Sequence, residues 1–335
     1  MEIREEVPDF KIFTFEKLPH IAYKAGQYLT FVHSGKDQEI RRSYSITSSP
    51  GINSVISIGV KRIPNGFFSR LLVDHAEVGD ELVTIGAGGL FVLPVDMEKY
   101  RELFFFAAGS GITPIYSIIQ SALHHHPWLK IVLIYSSPGP SVTIFHDELH
   151  LLQKQYRDQF SIEWLFSNSP NLSGARLYRD SLIQLVKSYS IFTFAEALFF
   201  ICGPISYMRM CTFVLQEIEV PSVNIKRENF LIAQPRPVNL LPPDHNSHFA
   251  SITFGGNQYR VLVDYPDSIL GAARKQGIVL PFSCETGRCA SCLARCTKGT
   301  VWLSHNEVLT ESELSKGFTL TCVGHPLGGD VDLQV

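Results

Sequence analysis

No apolar run among the 335 residues approaches the roughly 20 needed for a helix to cross a bilayer. The most apolar stretches, LFFFAA at 103–108 and ALFFIC at 197–202, have the length of buried strands in a parallel sheet. A signal-peptide pattern is also missing, so a soluble cytoplasmic protein is expected. Seven cysteines, an odd number, then argue against a disulfide framework. Lys and Arg total 29 against 32 Asp and Glu, and this net charge of −3 lacks the basic excess that a nucleic-acid partner favours. Internal repeats and low-complexity tracts are absent. So are paired E-x-x-H motifs for a di-iron carboxylate centre and the C-x-H…C-x-x-H set of a Rieske centre, so oxygen activation within this chain is not expected.

What the chain does hold is length for several domains and 45% apolar residues to fill their cores. Four of the cysteines, Cys284, Cys289, Cys292 and Cys322, stand as C-x4-C-x2-C with a distant fourth. That spacing suits a [2Fe–2S] cluster, whose two irons need four thiolates, three from a tight loop and one from elsewhere. In the loop PFSCETGRCASC, Gly287, Ala290 and Ser291 are small enough for backbone N–H groups to turn toward sulfur. Zinc is the alternative, although zinc ribbons usually add a second C-x2-C pair. Cys202, Cys211 and Cys296 fall outside the set, and each reads by default as a buried structural thiol. The segment QPRPVNLLPPDHNS, 234–247, carries four prolines and reads as a semi-extended tether.

Upstream, KIFTFE, QYLTFV and VISIGVKRI alternate as short strands between glycine and proline signals, the pattern of a small antiparallel barrel. RRSYSITSS places Arg42, Tyr44 and Ser45 on one strand. In VKRIPNGFFSRLL, Gly66 would admit a phosphate to the backbone, and Ser69 would start a helix-like run. Residues 96–232 alternate apolar strands with helical patterns, as in a doubly wound parallel sheet. ELFFFAAGSGITPIYSIIQSAL is a strand, a glycine turn and a helix with Ile112, Ile115, Ile119 and Ala122 on one face. Gly109 and Gly111 would open that turn to a pyrophosphate, although Pro114 stands where the last glycine of G-x-G-x-x-G would be. A plain strand-turn-helix is the competing reading. His124, His125 and His126 follow at the helix end, where solvated positive charge is favoured.

These pieces resemble the ferredoxin–NADP reductase superfamily with a C-terminal plant-type ferredoxin domain. The R-x-Y-S strand, the G-x-G-x-T-P turn, a C-G-P-x-x-M-like turn in LFFICGPISYMRM and the cysteine loop come in the same order. The resemblance extends to the single-chain reductases of multicomponent oxygenases, the phenylacetyl-CoA epoxidase reductase component among them. It implies a flavin barrel at 1–95, an NAD(P)-binding α/β domain at 96–233, the linker at 234–247 and an α+β β-grasp ferredoxin domain at 248–335. It also implies FAD held by Arg42, Tyr44, Ser45, Gly66 and Ser69. Thr113 would lie near the nicotinamide, with Gly109, Gly111 and Pro114 around it and the Cys202, Gly203, Pro204 turn opposite. In KRENFLIAQ, Phe230 would shield the flavin with Glu228 nearby; a strand end with a core phenylalanine is the plainer alternative. Ser136 and Arg176, with no acid at the strand end, incline the nucleotide toward NADPH. Electrons would run from NAD(P)H through FAD and the cluster to a terminal oxygenase, hydroxylase or desaturase; a scaffold that has lost its cofactors is the other class. The N-terminal strand looks short for the superfamily, so a less completely closed barrel is expected.

Overall fold

The computed structural model describes residues 2–16, 21–34, 39–64, 66–170, 174–230 and 240–335. The chain divides into two compact units, Met1–Asn229 and Phe230–Val335. Part of the expected linker, 234–239, lies outside the described residues.

In the first unit, alternating side chains form β1 (Glu2–Val7), β2 (Phe10–Phe15), β3 (Tyr28–Ser34), β4 (Glu39–Ser45), β5 (Ile56–Lys61) and β6 (Val83–Gly88). They make two antiparallel three-stranded sheets, β1-β2-β5 and β4-β3-β6, with the bridge Ile46↔Ile58 between them. Beside that bridge the Thr47 N–H donates to Ser57 O at 2.8 Å, so the two sheets are joined along a short seam. Phe13, Leu29, Phe31, Ile58 and Val60 fill it. α1 (Phe67–Arg70) runs on into a π-helical turn, Leu71–His75. The helix therefore begins two residues before Ser69, which the sequence placed at its start.

The nicotinamide-type domain has β7 (Glu102–Ala108), α2 (Ile112–His125), β8 (Lys130–Ser137), α3 (His146–Gln155), β9 (Phe160–Phe166), α4 (Arg179–Tyr189), β10 (Ala197–Cys202), α5 (Ile205–Glu217) and β11 (Ile225–Glu228). The sheet is all parallel in the order β11-β10-β7-β8-β9. Every residue of β10 is buried, which is why LFFFAA and ALFFIC are continuous rather than alternating. Ile112, Ile115, Ile119 and Ala122 of α2 pack on one face of the sheet. α4 and α5 cover the other, where Phe104 stacks on Phe199 with centroids 5.1 Å apart. His124 and His125 are exposed as expected, but His126 is half-buried, and that burial lowers its pKa.

The second unit holds β12 (His248–Phe254), β13 (Asn257–Val263), α6 (Ile269–Lys275), β14 (Leu293–Lys298), β15 (Val301–Leu303), α7 (Glu311–Ser315), β16 (Phe318–Leu320), β17 (Gly324–Pro326) and β18 (Val331–Gln334). Its mixed sheet runs β13-β12-β18-β14-β16, with β15-β17 as a separate ribbon. Ser268 caps α6 by accepting from the Gly271 N–H at 3.1 Å, and Ile269, Leu270, Ala272 and Ala273 bury its inner face. The strand ends two residues before Cys322, so the distant cysteine sits in a turn and not in the strand that FTLTC suggested. No helix among the described residues is long and apolar enough to cross a membrane.

Phe104 is fully buried and stacked, so Phe104→Ala should cost about 3–5 kcal/mol and Phe104→Leu under about half that. Urea unfolding, with the midpoint falling at unchanged slope, is the measurement; equal midpoints for the two variants would contradict the stacked core.

Candidate cofactor sites

Two glycine turns meet at the carboxyl ends of β7 and β10. Gly109 takes φ +55°, and Gly111 lies so close to the other turn that an added Cβ would stand 2.1 Å from the Cys202 carbonyl oxygen. Gly203 is equally confined, its Cβ position 2.9 Å from Ala108 Cβ. Only glycine permits this approach of backbone to backbone. The Tyr135 hydroxyl donates to the Gly109 carbonyl at 3.0 Å, and the Tyr207 hydroxyl donates to Ala107 at 3.3 Å. Neither tyrosine was singled out from sequence; a tyrosine inside the aliphatic run KIVLIYSS was the available signal for the first.

Thr113 and Pro114 are buried in the first turn of α2, where a missing N–H costs no helical bond. The Thr113 hydroxyl donates to Ser110 O at 2.9 Å, so it locks the turn. Its methyl group lies 2.8 Å from where a Cβ on Gly59 of β5 would stand. The same helix reaches the barrel through Ser117, which donates to Ser48 O at 2.6 Å, and Gln120, which donates to Thr47 O at 3.1 Å. These clamps between barrel and nicotinamide-type domain were not anticipated.

Glu228 ends β11 in register with Cys202, Gly203's neighbour. Burial pushes its carboxyl up to about 8, and burial with Glu228 beside it raises the Cys202 thiol. Pro204 caps α5 and is exposed. At the end of β8 the Ser137 hydroxyl is engaged with Thr143, the Ser136 hydroxyl is buried, and Arg176 is exposed. Ser137 is thereby committed to its own loop.

On β4, Arg42 and Tyr44 share a face, and the buried Ser45 turns to the other. The Tyr44 ring packs 6.3 Å from Phe31 and 6.1 Å from Phe68, and burial raises its phenol pKa against the pull of nearby Arg42. Across from this strand, Gly66 closes a turn in which a Cβ would come within 2.5 Å of Ser69 Oγ. Ser69 accepts from the Ile63 N–H at 3.1 Å, so its hydroxyl shapes the turn from within the helix. Arg62 braces the same element through a two-pronged pair with Asp74, at 2.8 and 3.0 Å. A cationic side chain, a packed tyrosine and a glycine cradle in this order fit a flavin nucleotide. Phe230 is exposed and belongs to the second unit.

The cysteine loop winds through three left-handed residues, Glu285, Gly287 and Ala290. At Gly287 a Cβ would lie 2.6 Å from the His305 carbonyl oxygen. The winding turns the Thr286 and Arg288 N–H groups onto Cys284 Sγ, each at 3.4 Å, and the Cys284 N–H onto Cys289 Sγ at 3.4 Å. A hydrogen bond from Cys289, with those from Thr286 and Arg288, draws the Cys284 thiol down to about 5. The partner thiol of Cys289 is raised in turn, and Cys322 is raised by its contact with Cys292. The four sulfurs therefore gather as two pairs, Cys284 with Cys289 and Cys292 with Cys322. Two pairs of thiols with inward amides fit a two-iron cluster, one pair to each iron. Cys296 stands apart, its thiol donating to Lys298 O at 3.2 Å.

Three family models match in sequence: an oxidoreductase FAD-binding domain at residues 1–92, an oxidoreductase NAD-binding domain at 105–212 and a 2Fe-2S iron-sulfur cluster binding domain at 252–327. The chain is 31% identical over 315 residues to a component of the 1,2-phenylacetyl-CoA epoxidase of Escherichia coli (strain K12), covering 92% of this chain and 87% of that one. It is 30% identical over 318 residues to the 3-ketosteroid-9-alpha-monooxygenase, ferredoxin reductase component, of Mycobacterium tuberculosis (strain CDC 1551 / Oshkosh), covering 93% and 85%. Among solved structures, phthalate dioxygenase reductase superposes with a TM-score of 0.60 at 21% identity, over 100% of this chain and 96% of that one, which is a likeness of fold.

The raised Glu228 carboxyl has a thermodynamic signature. Between its ordinary 4.5 and about 8 the folded protein holds a proton that the unfolded chain has lost. Stability should therefore fall as pH rises across that window, by up to about 1.4 kcal/mol per unit, and level off above it. Glu6 and Glu102, raised by burial as well, add to the same slope. Thermal melts from pH 5 to 9 should show a shallower decline for Glu228→Gln than for the parent; identical slopes would rule out a buried, protonated Glu228.

Proposed function

The chain belongs to the oxygenase-type reductases that combine FAD-binding, NAD-binding and 2Fe-2S domains in one polypeptide, and from that premise we propose that it carries electrons from NAD(P)H to a terminal oxygenase. When bound, FAD would supply two-electron chemistry and the cluster one-electron chemistry, which together make the two-to-one conversion that such a partner needs. The observation that carries this reading is the pairing of three loop thiols and the distant Cys322 in a chain that also holds the two facing glycine turns. The relatives named as parts of a phenylacetyl-CoA epoxidase and a ketosteroid monooxygenase support an oxygenase acceptor.

Each group of residues has its task in this reading. Arg42 and the amides of the Gly66 turn bind the flavin pyrophosphate, while Tyr44 borders its ring and Ser45, buried on the opposite face of β4, backs the strand. Gly109, Gly111 and Thr113 admit the dinucleotide, and the Cys202–Pro204 turn closes over its nicotinamide. Buried Glu228, protonated at neutral pH, keeps that end of the pocket free of negative charge. Cys284 and Cys289 would hold one iron, and Cys292 and Cys322 the other. Residues 1–95, 96–233, 234–247 and 248–335 serve as barrel, nicotinamide domain, tether and ferredoxin domain. The cytoplasm, where the NAD(P)H pool lies, is the compartment this implies.

Arg176, with no acidic side chain at the end of β8, supports NADPH through its 2′-phosphate. Arg176→Ala should then raise KM for NADPH about tenfold while leaving KM for NADH near its starting value; equal changes for both would remove the preference. Anaerobic titration with either nucleotide tests the wider reading. Flavin absorbance should bleach before the cluster bands, and Cys289→Ser should keep dye reduction while losing delivery to a one-electron protein acceptor. Cluster bleaching ahead of the flavin would refute the relay.

A further inference from the structure

Arg288 lies within the cysteine loop, immediately before Cys289, yet only 5% of it is exposed. Among the described residues of the second unit it is the one buried Lys or Arg. Its backbone N–H already donates to Cys284 Sγ at 3.4 Å. The guanidinium is less well served: Nη1 is buried without a hydrogen-bond partner, and Nε lies 3.2 Å from Glu307 Oε1 without hydrogen-bond alignment. Glu307 is partly exposed and shares that same oxygen with His305 Nε2 at 2.9 Å. One shared, partly solvated carboxylate is poor compensation for a guanidinium removed from water.

The missing compensation has a source in the loop. Two ferric ions, two sulfides and four thiolates sum to −2, and one electron, arriving without any bond made or broken, takes the cluster to −3. A fixed cation in the same low-dielectric loop stabilises the −3 state more than the −2 state. We propose that the Arg288 guanidinium is the cluster's countercharge, raising its reduction potential, and that Glu307 both holds the guanidinium and offsets part of its charge. Arg288 is thus a positioning residue for electron uptake. Gly287 makes room for this by letting the loop pass against the His305 carbonyl, which also brings Glu307 alongside, its N–H donating to Gly287 O at 3.1 Å.

This rests on the assignment of the four cysteines, so iron and sulfide content are measured first: a full-length parent without a cluster fails that assignment, whereas a loaded variant with an unmoved potential fails this one. Arg288→Gln, Arg288→Lys and Glu307→Gln are titrated anaerobically at one fixed pH, following the EPR signal of the reduced cluster. At the potential where the parent cluster is half reduced, Arg288→Gln should lower the ratio of reduced to oxidised cluster about tenfold, a downward shift of about 59 mV. Arg288→Lys, which keeps the charge, should stay close to the parent. Glu307→Gln, which leaves the guanidinium unopposed, should move the ratio upward, and the flavin midpoint should stay fixed throughout. A loaded Arg288→Gln at the parent potential overturns the proposal, as does movement of Arg288→Gln and Glu307→Gln in the same direction. If Arg288→Gln takes up no cluster, Glu307→Gln decides alone, and an unmoved or lowered midpoint overturns it.

Discussion

Everything in the first unit turns on one close approach, the backbone of Gly111 against the Cys202–Gly203 peptide. No side chain fits between them, since even a Cβ would overlap the Cys202 carbonyl oxygen at 2.1 Å. That contact sets the ends of β7 and β10 side by side and holds open the crevice where a doubly wound sheet binds its nucleotide. The sheet supplies the rigidity behind it. The aromatic rings and branched chains of β7 and β10 are buried away from water, so the turns ride on a packed floor. From there α2 carries the geometry outward, through Thr113 against Gly59 and through two hydrogen bonds to the barrel.

The cysteine loop solves a related problem by other means. Its sulfurs are gathered by main-chain curvature, three left-handed residues in a short span, and not by side-chain packing. Amides freed from secondary structure then become donors to sulfur. In the glycine turns the backbone withdraws to leave space, whereas in the cysteine loop it advances to fill it. Both depend on conformations that most residue types avoid.

The architecture was legible because it is written in local patterns. Continuous apolar runs marked β7 and β10, a 3.6-residue period marked α2, and the cysteine spacing marked the loop. What stayed hidden were the uses of hydroxyls and charges. Ser69 and Thr113 both looked available to a ligand, but each hydroxyl is bound within its own turn. Their competition with the backbone depends on rotamer and turn shape, which sequence does not specify. Tyr135 was invisible for another reason: its partner, the Gly109 carbonyl, lies on a neighbouring strand's turn and 26 residues away. Arg62 and Asp74 likewise meet only once the turn after β5 has folded. Ser45 was grouped with Tyr44 on sequence proximity, and the pleat of β4 sends the two to opposite faces.

The clamps from α2 to the barrel end on main-chain carbonyls, those of Thr47 and Ser48, and main-chain carbonyls are common to every amino acid. The recognition is therefore one-sided. Drift at positions 47 and 48 leaves the acceptors intact, while Ser117 and Gln120 must keep their donors. A nicotinamide domain bearing those two side chains carries its own fastening, one that asks of the barrel only a main chain in the right place.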